Sequence, residues 1–285
     1  ISKNFLKVLL INILSSKIIY YYFNKLIIDR TPINKSLEII LKKIKPNLIL
    51  KPSNSHGKTE FDLVRISEKG NFKNYFIIDN WDNLSSKTIF IKKPNFIGVW
   101  GKQTKNHANV IQGMKKNNID ILGCAKYENF FNSKKILKKN YKKNYILFLG
   151  TSWPWEEEKV LDLLDNEINK NKKLYKEVRI IYRPHPLRQK KTNLYKKRWI
   201  NIKYDPQINK NYFISRLMPD LEYYPKLLNN CLFAMGGLTT MLIEASIFQK
   251  IYLAIGFDDK KSFLNQEMAL KWFPHLQEIN RLKNV

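Results

Sequence analysis

Cysteine is scarce: Cys124 and Cys231 are the only two, which excludes a disulfide framework and any cysteine-rich metal spacing and fits a reducing cytoplasm. Histidine is nearly as sparse. His56, His107, His185 and His275 form no close pair along the chain, so a dedicated zinc site is not expected. A long uncharged apolar run is also missing. The most apolar stretch, residues 5–28 (FLKVLLINILSSKIIYYYFNKLII), is broken by Lys7, Lys17 and Lys25 before it reaches the roughly eighteen residues a spanning helix needs. It carries no small-residue cleavage site of a signal peptide. Two readings remain for it: an amphipathic helix packed on its domain, or a basic helix resting on an anionic membrane.

Acidic residues are outnumbered, 24 Asp and Glu against 51 Lys and Arg, leaving a formal charge of +27. Such an excess favours polyanionic partners: nucleic acid, phospholipid headgroups or phosphorylated substrates. Lysine travels with Asn and Ile along the whole chain, as in KKNYKKNY (138–145). Drift towards A/T-rich codons, with the charge spread over solvated faces, is therefore the competing explanation. An apolar content of 44% over 285 residues can supply the core of one large domain or two ordinary ones.

Helical and strand patterns alternate. SLEIILKKIK (36–45) follows a Ser cap with helical spacing, and 46–54 reads as a strand running into a loop. Residues 59–70 form a helix ending in Gly, 74–83 a strand and turn, 95–101 a strand, 103–116 a helix and 120–125 a strand. Alternation of this length implies right-handed βαβ units and a parallel sheet. A Lys/Asn-rich stretch, 126–144, reads as a linker. The pattern then restarts, with strands at 144–153, 178–183, 231–236 and 251–257 and helices at 155–171, 219–230 and 239–250. The expected fold class is α/β, two Rossmann-like domains (1–140 and 141–285) with a cleft between the carboxyl ends of their sheets.

Two segments of the second domain carry the strongest chemistry. In GGLTT (236–240), Gly236 and Gly237 let backbone approach a ligand, and Thr239 and Thr240 add hydroxyls at a helix start suited to an anion. Glu244 follows about one turn later, within reach of a hydroxyl such as a ribose. In YRPHP (182–186) the prolines hold the chain extended. Arg183 can fork onto phosphate, and His185 can donate a hydrogen bond or a proton. Gly150, Thr151 and Ser152 form another small, hydroxyl-bearing turn at a strand end. In the first domain, WDNLSSK (81–87) offers Asp82 either as a base towards an acceptor hydroxyl or as a turn former. His56, Glu60 and His107 are rival bases. Trp81 either stacks on a sugar or fills the core, and Asp258 and Asp259 can accept bonds from sugar hydroxyls.

Taken in order, WDNLSSK, VWGKQTKNHA (99–108), FLGTSW (148–153), YRPHP and GGLTTMLIEASIFQK (236–250) resemble the GT-B class of glycosyltransferases. Within it they look like the bacterial surface-polysaccharide and CDP-glycerol-transferase-like group, similar in build to UDP-GlcNAc 2-epimerases. The resemblance runs from about residue 46 to 259. It implies a cytoplasmic, metal-independent glycosyltransferase with no cofactor beyond its activated donor, a nucleotide sugar or CDP-polyol. Gly236, Gly237, Thr239, Thr240, Gly150, Thr151, Ser152 and Arg183 would bind the donor, Glu244 would hold the ribose, and His185 and Asp82 would be catalytic. The acceptor would be a glycan or a lipid-linked glycan, with peripheral contact at the anionic inner membrane face. The strand and Gly-rich loop that open a GT-B first domain are not found, so that domain is expected to be incomplete. Two alternatives stand: a UDP-sugar 2-epimerase-like isomerase on the same fold, and a noncatalytic basic nucleic-acid-binding protein. Against the latter, no helix-turn-helix, RNA-binding or zinc signature occurs.

Overall fold

The computed structural model describes residues 3–52, 57–136, 145–151, 156–185, 198–209, 223–256 and 266–278. The chain divides into two units between Cys124 and Ala125, earlier than the expected boundary at 140.

The first unit opens with α1 (Lys3–Leu14), α2 (Lys17–Arg30) and α3 (Lys35–Ile44). The single helix expected over 5–28 is two, bent by 76° at the Ser15–Ser16 break. Ser16 adopts an extended backbone, and its hydroxyl accepts the Ile19 amide at 3.3 Å, an N-cap that starts a new helix rather than continuing the old one. No residue of α2 is buried. Asn24 ties it down by donating from Nδ2 to the Ile91 carbonyl at 2.9 Å.

There follow β1 (Leu48–Pro52), α4 (Lys58–Gly70), β2 (Lys73–Ile77), a π-helical turn (Asn83–Lys87), β3 (Phe96–Val99), α5 (Lys102–Val110) and β4 (Ile119–Ile121). The four strands pair in parallel in chain order. Leu63, Val64 and Ile66 of α4 pack with Phe76, Ile78, Ile97 and Val99 in one buried cluster. At the strand starts, Asn74 and Asn95 exchange amide-to-side-chain bonds of 3.0 and 2.8 Å, which satisfies partly buried backbone donors where the β2–β3 ladder begins.

The second unit contains α6 (Glu128–Ile136), β5 (Tyr145–Leu149), α7 (Glu157–Lys170), β6 (Arg179–Arg183), β7 (Ile202–Tyr204), α8 (Tyr223–Asn230), β8 (Ala234–Gly236), α9 (Met241–Ile247), β9 (Tyr252–Ala254), α10 (Gln266–Trp272) and α11 (Pro274–Gln277). Its sheet has the order β7-β6-β5-β8-β9 and is wholly parallel. Part of the expected linker is α6, and its Phe130 explains the earlier boundary. That ring is fully buried against Tyr224 and Phe248, with centroids 6.2 and 6.3 Å away. Truncating such a ring costs about 3–5 kcal/mol, so α6 belongs to the second unit. The expected α/β class is observed in both units: two parallel, Rossmann-like sheets.

Candidate nucleotide site in the second unit

From β5 the chain moves outward through β6 to β7, then returns to the other flank of β5 for β8 and β9. The reversal falls between β5 and β8, and open α/β sheets bind ligands outside the carboxyl ends of strands at such a point. Three segments singled out from the sequence end on the adjacent strands β6, β5 and β8. They are Arg183 to His185, Gly150 with Thr151, and Gly236 with Gly237.

Two glycines allow these ends to meet. The Gly150 amide donates to the Arg183 carbonyl at 2.8 Å, and a Cβ there would lie 2.9 Å from both Pro184 Cα and the His185 nitrogen. Gly236 has φ +155°, and a Cβ on it would lie 2.2 Å from the Leu149 carbonyl oxygen, a backbone state and an approach that only glycine tolerates. Beyond it, the Tyr252 hydroxyl donates to the Gly237 carbonyl at 2.6 Å. Burial, and to a smaller degree the Glu157 charge, raises that hydroxyl's pKa.

Thr151 is buried, and its amide and hydroxyl both donate to Glu157 Oε1, at 2.6 and 3.4 Å. Glu157 itself is fully buried, and its Oε2 accepts the Tyr182 hydroxyl at 2.7 Å. One carboxylate thus clamps the turn after β5 to the end of β6. In the sequence Glu157 reads only as an acid in a helix first turn, where the macrodipole favours it. Its spacing from Val160, Leu161 and Ile168, all on the buried face of α7, was the available signal.

Arg183 is held from two sides. Its guanidinium carbon lies 3.9 Å from the centroid of the Tyr224 ring, and Nη1 lies 3.5 Å from Asp205 Oδ2. Stacking of this kind leaves the edge of the fork to recognise anions. Asp205 is buried and accepts the Tyr223 hydroxyl at 2.7 Å and the Gln207 amide at 3.0 Å. Glu244, on α9, is 3% exposed, and its Oε2 receives no hydrogen bond. Burial pushes its carboxyl up to about 7, against the opposing pull of Lys126 and Arg183. A carboxyl so placed accepts a hydroxyl donor readily.

His185 and the two threonines, Thr239 and Thr240, are half-buried. Thr240 heads α9 without a side-chain capping bond, and α9 spans only seven residues. Ser152, His56, Asp258 and Asp259 lie outside the described residues.

In the first unit Asp82 precedes the π-helical turn. Its backbone carbonyl accepts the amide and hydroxyl of Ser86, both at 3.0 Å. The carboxylate makes no capping bond: Oδ2 pairs with Lys87 Nζ at 2.7 Å, and Oδ1 is buried without a donor. Gln112 braces this segment, with Nε2 donating to the Leu84 and Thr88 carbonyls at 2.8 and 2.6 Å. Glu60 pairs with Lys51 at 2.9 Å, while His107 and Trp81 are buried. Among the described residues no group of three or more His, Cys, Asp or Glu is arranged to hold a metal ion.

Parallel sheet, reversal point and glycine-lined strand ends define a Rossmann-like unit of the GT-B kind. Comparison with solved structures agrees on that fold. The UDP-GlcNAc 2-epimerase of Methanocaldococcus jannaschii in complex with UDP-GlcNAc and UDP is similar at TM-score 0.51 and 17% identity, over 86% of this chain and 66% of that one. Another structure of the M. jannaschii enzyme matches at TM-score 0.47 and 16% identity, over 88% and 74%. The Neisseria meningitidis UDP-GlcNAc 2-epimerase bound to UDP-GlcNAc matches at 0.45 and 13%, over 87% and 71%. At these identities the likeness establishes the fold alone. No family model and no curated protein matches the chain. The glycosyltransferase expected from the sequence is therefore corrected: the neighbours that share this fold are 2-epimerases, which are isomerases. The resemblance holds for the GT-B fold and no narrower group.

Proposed function

We propose that this chain is a nucleotide-sugar isomerase of the 2-epimerase type, with the nucleotide held by the second unit. The observation that carries the proposal is Arg183, set over the Tyr224 ring and half-buried, in the same unit as Glu244, whose buried Oε2 receives no hydrogen bond and whose carboxyl feels the Arg183 charge. Arg183 takes the diphosphate, Glu244 accepts a ribose hydroxyl, and Gly236 and Gly237 give the close backbone approach. A fold neighbour solved with UDP-GlcNAc and UDP supports the same ligand class.

Inversion at C2, a carbon that no carbonyl activates, balances without a redox step if the C2–H electron pair becomes a C1=C2 bond as the C1–O bond to the nucleoside diphosphate breaks; a proton then returns to the other face of C2 as the diphosphate oxygen re-forms its bond to C1. Acid–base groups must supply both transfers. His185 and Asp82 are assigned this work, and the proposal involves no cofactor beyond the nucleotide sugar.

The test is turnover of the intact protein with UDP-GlcNAc in deuterium oxide, without any acceptor. Deuterium at C2 and the appearance of the C2 epimer in proton NMR are expected. If a panel of UDP-sugars yields neither exchange nor epimer, the proposal fails.

A further inference from the structure

Among the described residues, the first two helices hold the densest run of exposed apolar side chains. On α2, Ile18, Tyr22 and Leu26 recur at four-residue spacing and are 71%, 66% and 47% exposed. They lie on the side of the helix away from Asn24, which bonds to the Ile91 carbonyl, and from the half-buried Ile28, with the half-buried Ile19 bordering Leu26. Leu6, Val8, Leu10 and Ile11, which lie all round α1, are about as exposed, so its apolar surface is not confined to one face. Lone exposed hydrophobics are ordinary, but a contiguous set marks an interaction surface.

The charge around this surface indicates what covers it. Residues 1–30 hold Lys3, Lys7, Lys17, Lys25 and Arg30 against the single acid Asp29, five positive charges to one negative. Tyr20, Tyr21 and Tyr22 follow one another, the last two in edge contact with centroids 5.8 Å apart. Tyrosine beside lysine suits the layer where apolar and wet environments meet.

We propose that α1 and α2 form a docking element for an anionic phospholipid surface and lie in its headgroup plane. The described parts of α1 and α2 are twelve and fourteen residues, about 18 and 21 Å of helix, and among the described residues no single helix is long and apolar enough to cross a membrane. The two meet at a bend of 76°, which suits a pair of helices lying along a surface. The apolar side chains enter the acyl boundary while the lysines meet lipid phosphates, the two contributions that interfacial binding needs.

The experiment is sedimentation of the intact protein with vesicles of phosphatidylglycerol and phosphatidylcholine, set against phosphatidylcholine alone. Binding at least about tenfold tighter to the anionic vesicles, weakening with added salt, is expected. Ile18→Glu with Tyr22→Glu and Leu26→Glu, and separately Lys17→Glu with Lys25→Glu, should each lower it about tenfold or more. Both variants should keep UDP-GlcNAc binding, which separates this proposal from the one on the nucleotide site. Equal binding to both vesicles, no binding, or indifference to the substitutions overturns it. So does a lipid-free dimer, seen by analytical ultracentrifugation, that the Ile18, Tyr22 and Leu26 substitutions dissolve, since a second copy would then cover the surface.

Discussion

The guanidinium of Arg183 lies 3.9 Å from the centroid of the Tyr224 ring, and the same ring packs against Phe130 of α6. The cation proposed to meet the diphosphate is thus aligned by the aromatic core of its own unit rather than by a flexible loop. Lysine can neither stack in this way nor fork onto two oxygens. Arg183→Ala should weaken UDP binding by about tenfold to a hundredfold, the loss of one or two charge-assisted hydrogen bonds. Arg183→Lys should recover little of it. Isothermal titration with UDP measures both.

Gly236 supports a prediction about stability. With φ at +155° and the Leu149 carbonyl in the way of a Cβ, Gly236→Ala must push β8 away from β5. A cost of roughly 2–4 kcal/mol is expected, at the upper end for single substitutions. Urea unfolding measures it. A variant as stable as the parent would show that the two strand ends do not need this approach.

The buried carboxyl of Glu244 makes stability depend on pH with a definite sign. Its folded value of about 7 lies above the ordinary 4.5, so between these the folded state holds a proton that the unfolded state releases. The contribution is fully present below the unfolded value and is lost as pH rises through the folded one. The whole effect is about 3 kcal/mol. Glu244→Gln keeps the neutral shape and should flatten that part of the profile. Melting temperatures across the acid-to-neutral range check it.

Asp82 allows turn formation to be tested apart from its proposed role as a base. Its turn is closed by its backbone carbonyl, and its carboxylate pairs with Lys87, a half-exposed lysine. Losing an ion pair open to solvent on one side costs at most about 1 kcal/mol. Asp82→Asn should therefore leave melting and UDP binding nearly unchanged, while C2 exchange falls by about a hundredfold or more. Exchange at the parental rate would remove Asp82 from the proposed chemistry.

Most of the strand and helix alternation was legible, because buried parallel strands such as YILFL (145–149) and RIIYR (179–183) are continuous apolar runs closed by small or charged residues. The strand ends bearing Gly150, Arg183 and Gly236 were legible for the same reason. β7, three residues long with the pattern Ile-Lys-Tyr, has no periodicity of its own and exists through its pairing with β6. Asp205, which follows it, went unseen with it. The residues of α6 read as linker because its place depends on where Phe130 is buried, not on local spacing.

By itself, then, the sequence determined the α/β class, the absence of a cysteine framework, the basic charge and the identity of the glycine-lined strand ends. These depend on composition and on periodicities spanning a few residues. Tertiary structure alone decided that β6, β5 and β8 lie side by side, that Glu157 clamps Thr151 to Tyr182, and that Arg183 rests on Tyr224. Those contacts join residues far apart along the chain, and burial brings them together only once the sheet has closed around them.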